Sequence, residues 1–103
     1  MKTRFEWDPA KADLNRRKHG VSFDVALRAF ADPFALSCQD RIEGGEQRWQ
    51  TLGMVDGICL LLVAHTVREE DEDGYAVEII RIISARQADR KERRRYEHEI
   101  RPA

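Results

Sequence analysis

The sequence predicts an α+β protein: an antiparallel β-sheet packed with two N-terminal helices and a C-terminal helix. Three observations carry this. Helix start and stop signals crowd the stretch up to Pro33, four strand-like segments parted by turn residues follow, and the last stretch is charged and helix-forming.

Arg4 to Trp7 is a short candidate strand. Asp8 then stands where a carboxylate can accept from the free amides of a helix start, and Pro9 suits the first helical position, where its missing N–H is not needed. A helix is expected from Pro9 to about His19. Gly20 closes it in a left-handed cap, with Arg16, Arg17, Lys18 and His19 at the negative end of the helix dipole. Ser22 opens a second helix, with Val21 and Ala26 as a weak hydrophobic staple and an incomplete capping box, since Val25 holds its fourth position. Phe23, Ala26, Leu27 and Phe30 recur at helical spacing and are expected in the core. The helix stops before Asp32-Pro33, because proline restricts the residue before it.

Strands are expected at Phe34 to Gln39, Arg48 to Met54, Ile58 to Val67 and Ala76 to Ala85. Their separators are Arg41 to Glu46 with Gly44-Gly45, the tight hairpin signal Asp56-Gly57, and Glu69 to Gly74, read as a polar, acidic loop. Short connections between neighbours imply an antiparallel meander. A final helix starts near Asp89, with Glu92 reaching back to complete its cap, and its apolar stripe is thin, essentially Tyr96 and Ile100.

At 103 residues, 42% hydrophobic and 36% charged, the chain is expected to fold as one soluble domain, 1–103. The apolar run Ile58 to Ala64 falls far short of the ~20 residues that span a bilayer, and MKTRFEWDP holds no signal-peptide hydrophobic segment. A cytoplasmic protein with no membrane partner is expected. Cys38 and Cys59 form no C-x-x-C and read as reduced strand residues, and His19, His65 and His98 are far apart in sequence. Neither a metal nor a cofactor is expected.

The formal net charge of -1 hides a segregation. Residues 1–20 and 86–101 each carry +3, and residues 21–85 carry -7. Basic ends can attract phosphates, yet a tail rich in Arg and Glu can equally be a solvated helix laced with i,i+4 pairs.

Alternation along the last strand turns Arg81 away from Ile80 and Ile82, and puts Glu78, Ser84 and Arg86 with those isoleucines. In the preceding strand it groups His65 with Leu61 and Val63, and Arg68 with Leu62 and Thr66. A cleft where Arg48, His65, Arg68, Arg81 or Arg86 converge is therefore expected. Cleaving RNA without a metal needs a base for the 2′-hydroxyl, cations for the phosphate in the transition state, and an acid for the leaving 5′-oxygen. Arginine supplies the second service, and histidine can supply the first or third. Each candidate has an ordinary reading beside it. His19 suits a helix C-terminus, His65 suits a hydrogen-bonded strand interior, His98 suits a solvated surface, and Glu46 is either a general base or an ion-pair partner. Arg81, between isoleucines, must find a partner or a wet site. No Gly-rich phosphate loop or G-x-S-x-G elbow is present.

FEWDPAKADLNRRKHGVSFDVA, the Asp32-Pro33 step, EQRWQTLG, VAHTVRE and RIISARQADRKERRRYE follow in family order over nearly the whole chain. In these pieces the sequence resembles the BrnT toxins of type II toxin-antitoxin systems. The resemblance implies a RelE-like fold and a ribonuclease that arrests translation. It also implies a BrnA-type antitoxin that neutralises the toxin, with operator DNA reached only through the antitoxin complex. Residue by residue it points to His19, Glu46, Arg48, His65, Arg68, Arg81, Arg86 and Tyr96. Arg68 and Arg81 are the expected phosphate cations, with His65 and Glu46 moving protons. His19, Arg48, Arg86, Arg90, Arg94 and Tyr96 are expected to bind RNA. The stretch REEDEDGYAVE is longer and more acidic than that family leads one to expect, and suits repulsion of RNA or a basic antitoxin. The competing class is a non-catalytic nucleic-acid or protein-binding module, acting as a co-repressor through its Arg-rich helix.

Overall fold

The computed structural model describes residues 2–100, with side chains to Glu99, so the Ile100 side chain and Arg101 lie outside the described residues. Strand β1 (Lys2–Glu6) leads through helices α1 (Pro9–His19) and α2 (Phe23–Ala26) and a 3-10 turn (Leu27–Ala31) into β2 (Leu36–Glu43), β3 (Glu46–Val55), β4 (Cys59–Glu72) and β5 (Tyr75–Gln87). Helix α3 (Arg90–Ile100) follows.

The strands form one sheet in the order β1-β5-β4-β3-β2. From β2 to β5 it is the expected antiparallel meander, but β1 pairs parallel to β5, so the sheet is mixed. Connection lengths speak only for neighbours joined by hairpins. The chain leaves β1 through the helices and enters the meander at the far edge, and three reversals then bring β5 into the direction of β1.

The caps of α1 form as the residues dictate. The Ala10 amide donates to Asp8 Oδ1 at 2.9 Å, and Gly20, at φ 72°, donates its amide to the Arg16 carbonyl at 2.9 Å. Asn15, the buried residue of α1, then acts as a stand-in strand. Its Nδ2 donates to the Ala85 carbonyl at 2.8 Å, and its Oδ1 accepts from the Ala85 amide at 3.1 Å, closing an edge of β5 that β1 does not reach.

The second helix is shorter than its apolar spacing suggests. After one turn, capped by Ser22 Oγ on the Val25 amide at 3.2 Å, the chain tightens into the 3-10 turn. Here Ala29 presses onto β3. A Cβ on Gly53 would lie 2.2 Å from the Ala29 carbonyl oxygen and 2.8 Å from its Cβ, so only glycine admits this approach.

The hairpins correct two further boundaries. The stretch Glu69 to Gly74 is not a loop: β4 runs to Glu72, with Glu69 opposite Glu78 and Glu72 opposite Tyr75. Only Asp73 and Gly74, at φ 53° and 85°, make the turn. Two left-handed residues match the twist of paired strands, and that turn sets the register of a long arm despite its acidic content. Likewise Arg41 to Glu43 and Glu46 belong to strands, leaving Gly44-Gly45 as the turn.

Each face of the sheet has its own core. The α1/α2 face buries Phe23, Ala26, Leu61, Val63 and Ile82, and the α3 face buries Leu52, Leu60, Leu62 and Tyr96. Helix α3 begins in a full capping box: the Glu92 amide donates to Asp89 Oδ1 at 2.8 Å and the Asp89 amide to Glu92 Oε1 at 2.9 Å.

Candidate active site

Pairing registers decide which polar side chains share a face. Arg48 lies opposite Thr66, Thr66 opposite Arg81, and Arg81 opposite Glu6, a single row across four strands. Two residues along from that row, on the same face, come Glu46 and Arg68. Leu52 and Leu62 continue this face towards α3, so the arginine row borders the patch that α3 covers.

Strict alternation would have sent Arg86 to the other face. A bulge corrects this. Ser84 pairs with Ala64 but Ile82 pairs with His65, so β5 holds one extra residue there. Ser84 and Arg86 thereby join Arg81, whereas Ala85 and Ile82 both face α1 and α2.

Every arginine of β4 and β5 on this face holds a carboxylate. Arg81 Nη2 donates to Glu46 Oε1 at 2.6 Å. Arg68 donates to Glu6 at 2.6 Å and to Glu70 at 3.0 Å, and Arg4 pairs with Glu72. Arg86 grips Glu92 through two bonds of 2.9 and 3.0 Å. The Arg68 bond holds the Glu6 carboxyl below its ordinary range, and the Arg86 bonds do the same for Glu92, outweighing burial in both cases. Glu6 and Glu70 in turn push the Arg68 guanidinium further into its charged form. Arg48 has no carboxylate partner among the described residues; its Nε and the Thr66 hydroxyl are buried polar atoms with no protein partner.

His65 does not join this constellation, which corrects the expected cleft. It projects from the opposite face of β4, 2% exposed, with its ring edge-on to Phe30 at 4.9 Å. Its Nε2 meets Thr51 Oγ1 at 2.7 Å, and Thr51 Oγ1 meets Ser37 Oγ at 2.7 Å. The Nδ1–H is left to donate to the Thr66 carbonyl at 3.4 Å. Burial pushes its pKa down to about 4, so the ring is neutral near pH 7. Phe5, Phe30, Ser37, His65 and Ile80 line a cavity of about 450 Å³ on this side, away from the arginines.

His19 is exposed at the end of α1, on the layer opposite the arginine face. Arg90 and Arg94 are exposed on α3. Tyr96, expected to bind RNA, is instead 3% exposed and its hydroxyl donates to Asp32 Oδ2 at 2.5 Å. Burial and the adjacent carboxylate push the Tyr96 phenol up to about 12. Burial raises the Asp32 carboxyl, but bonds from the Met54 amide, the Tyr96 hydroxyl and the Phe34 amide outweigh it and leave the pKa lowered. Tyr96 is thus the latch of α3. Sequence reasoning missed Glu6 and Thr66, because only the register, and for Glu6 a parallel pairing, brings them to the row. Among the described residues no group of three His, Cys, Asp or Glu is placed to hold a metal ion, and no helix is long and apolar enough to cross a membrane.

A family model described as the ribonuclease toxin, BrnT, of type II toxin-antitoxin systems matches residues 7–92. The chain belongs to the BrnT family. The fold agrees: the 1.1 Å crystal structure of the Brucella abortus ribonuclease toxin BrnT superposes with a TM-score of 0.62 at 22% identity, covering 87% of this chain and 100% of that one. No curated protein sequence matches the chain. The stretch matched by the BrnT model contains Glu46, Arg48, Thr66, Arg68, Arg81 and Arg86. Glu6 and most of α3 fall outside it. As a member of a type II toxin family, the protein has an antitoxin as its implied partner.

Proposed function

We propose that this BrnT-family chain is a metal-independent endoribonuclease that cleaves RNA in the cytoplasm, inhibits translation, and is neutralised by a BrnA-type antitoxin. The observation that carries the reading is the shared face of Glu46, Arg48, Arg68, Arg81 and Arg86 on three adjacent strands. Rigid strands hold these groups in place before substrate arrives, which is what stabilising a transient charge requires.

In this reading the RNA phosphate takes Arg81 from Glu46, and the released carboxylate accepts the 2′-hydroxyl proton. The 2′-oxygen attacks phosphorus, the P–O5′ bond breaks, and the leaving 5′-oxygen takes a proton from solvent water at the open face, so that a 2′,3′-cyclic phosphate and a 5′-hydroxyl result. Arg81 and Arg68 hold the charge that gathers on the phosphoryl oxygens. Arg48 and Arg86 bind the RNA, and Arg90 and Arg94 extend the basic track along α3. His65, neutral and turned to the other face, holds β3 to β4 and moves no proton of the reaction. Operator DNA is reached only through the antitoxin complex.

Expression of the chain alone should arrest growth and fragment RNA, and co-expression of the cognate antitoxin should restore both. Cleavage by purified protein should persist in EDTA. Normal growth at confirmed expression of folded protein would defeat the reading. The pairing of Arg68, Arg81 and Arg86 with carboxylates favours a second reading, a binding module that acts as a co-repressor. Intact RNA together with operator DNA binding would favour that one.

A further inference from the structure

We infer that the Thr66 hydroxyl and Arg48 Nε form, with Arg81, the cradle for the scissile phosphate, and that Glu46 roofs this cradle in the free protein. The inference rests on the ribonuclease reading and assigns it a residue, Thr66, and a resting state.

The geometry begins with the strand order. Glu46 is on β3 and Arg81 on β5, with β4 between them, so their 2.6 Å bond must pass over β4. Adjacent strands are about 4.8 Å apart, and two such steps need both side chains extended over the intervening one. The β4 residue in the row between Arg48 and Arg81 is Thr66. Thr66 is 3% exposed, whereas the Glu46 and Arg81 side chains above it are 42% and 37% exposed. The ion pair is therefore the outer layer and Thr66 the floor.

Two atoms at that floor have no protein partner among the described residues, the Thr66 Oγ1 and the Arg48 Nε. They belong to residues directly opposite each other on neighbouring strands, whose side chains stand side by side. Buried polar groups are nearly always hydrogen-bonded, because leaving one unpaired forfeits its hydration for nothing. Two unpaired atoms on cross-strand partners, both able to donate, with an arginine held over the same row by a carboxylate, describe a site for an oxyanion. A phosphate there accepts from Thr66 Oγ1, from Arg48 Nε and from the Arg81 fork. It displaces a carboxylate of the same sign and similar reach. Swinging aside, Glu46 becomes available to take a proton. The neighbouring Arg68, held by Glu6 and Glu70, adds its charge to the phosphoryl oxygens from its place on the same face.

Thr66→Val tests this, because it removes the hydroxyl and keeps the shape. Cleavage of a short RNA should fall by about 100-fold or more, on the order seen when one preorganised donor is lost. The thermal midpoint should stay level or rise, since an unpaired buried hydroxyl is gone. Thr66→Ser, which restores the hydroxyl, should recover most of the cleavage. Inorganic phosphate, followed through the Thr66-region amide signals by NMR, should bind the parent, bind Thr66→Val more weakly, and bind Glu46→Gln more tightly, because the competing charge has gone. Unchanged cleavage and phosphate binding in Thr66→Val would overturn the inference. So would a large fall in its thermal midpoint, which would make the hydroxyl a structural group. If the parent binds phosphate in this pattern but cleaves no RNA, the cradle stands and the ribonuclease reading falls.

Discussion

Acidification from pH 7 to pH 5 should destabilise the protein by about 2 kcal/mol through His65 alone. The imidazole titrates near 6.5 in the unfolded chain and is pushed down to about 4 in the folded one. Below pH 6.5 the unfolded state therefore takes up a proton that the folded state refuses, so stability is full above that value and falls as the pH approaches 4. Integrated between pH 7 and pH 5, those two values give about 2 kcal/mol, a large part of the ~5–15 kcal/mol that such domains possess. The lowered carboxyls of Glu6, Asp32 and Glu92 titrate below this window, which leaves the histidine as the distinguishing group. Urea unfolding followed by tryptophan fluorescence suits the assay, since Trp49 pairs with His65 across the strands and Trp7 packs edge-on to Phe23. In His65→Gln the extra loss at pH 5 should vanish, whatever that change costs at pH 7. An equal urea midpoint and slope for the parent at both pH values would refute the buried neutral histidine. So would an equal acid loss in the variant. A cleavage-rate inflection that disappears in His65→Gln at full stability would return His65 to the chemistry.

Arg81→Ala should reduce RNA cleavage by a factor on the order of 100 or more while leaving a folded protein that still binds antitoxin; cleavage within a few fold of the parent would remove Arg81 from the mechanism. Replacing Arg90, Lys91, Arg93, Arg94 and Arg95 with Gln should weaken RNA affinity and flatten its salt dependence, because fewer counterions are released on binding. An unchanged salt slope would make α3 a solvated face. Gly53→Ala should cost about 1–3 kcal/mol or more, read as a lower urea midpoint, since its methyl would sit 2.2 Å from the Ala29 carbonyl oxygen.

Local chemistry made much of this fold legible. Asp8-Pro9 and Gly20 bound the first helix, Asp89 and Glu92 start the last, and Asp56-Gly57 makes its hairpin, because each signal acts within a few residues of itself. The acidic arm was not legible: a run of carboxylates reads as loop, whereas a two-residue turn behind it and arginines beside it make it strand. The parallel pairing of β1 depends on a crossover that no local pattern encodes. At the candidate site, alternation separated His65 from Arg68 correctly, and taking both into one cleft ignored that separation. Thr66 carries no charge and sits in an apolar strand, so nothing in the sequence marks it until its neighbours across the sheet are known.

The bulge in β5 has a consequence best put as parity. Two residues an odd number apart face opposite ways along a regular strand, and Arg81 and Arg86 are five apart. At that spacing they can serve one surface only while the strand stays bulged between Ile82 and Ser84. Straightening the strand there at constant length would turn Arg86 towards the helices and carry Ala85 away from the Asn15 side chain that clamps it, whereas deleting the extra residue would leave the two arginines four apart and still on one surface. Among relatives of this chain, the separation of these two arginines should therefore stay odd wherever the bulge is kept and turn even wherever it is lost, so that the length of a short strand segment records whether the strand is bulged.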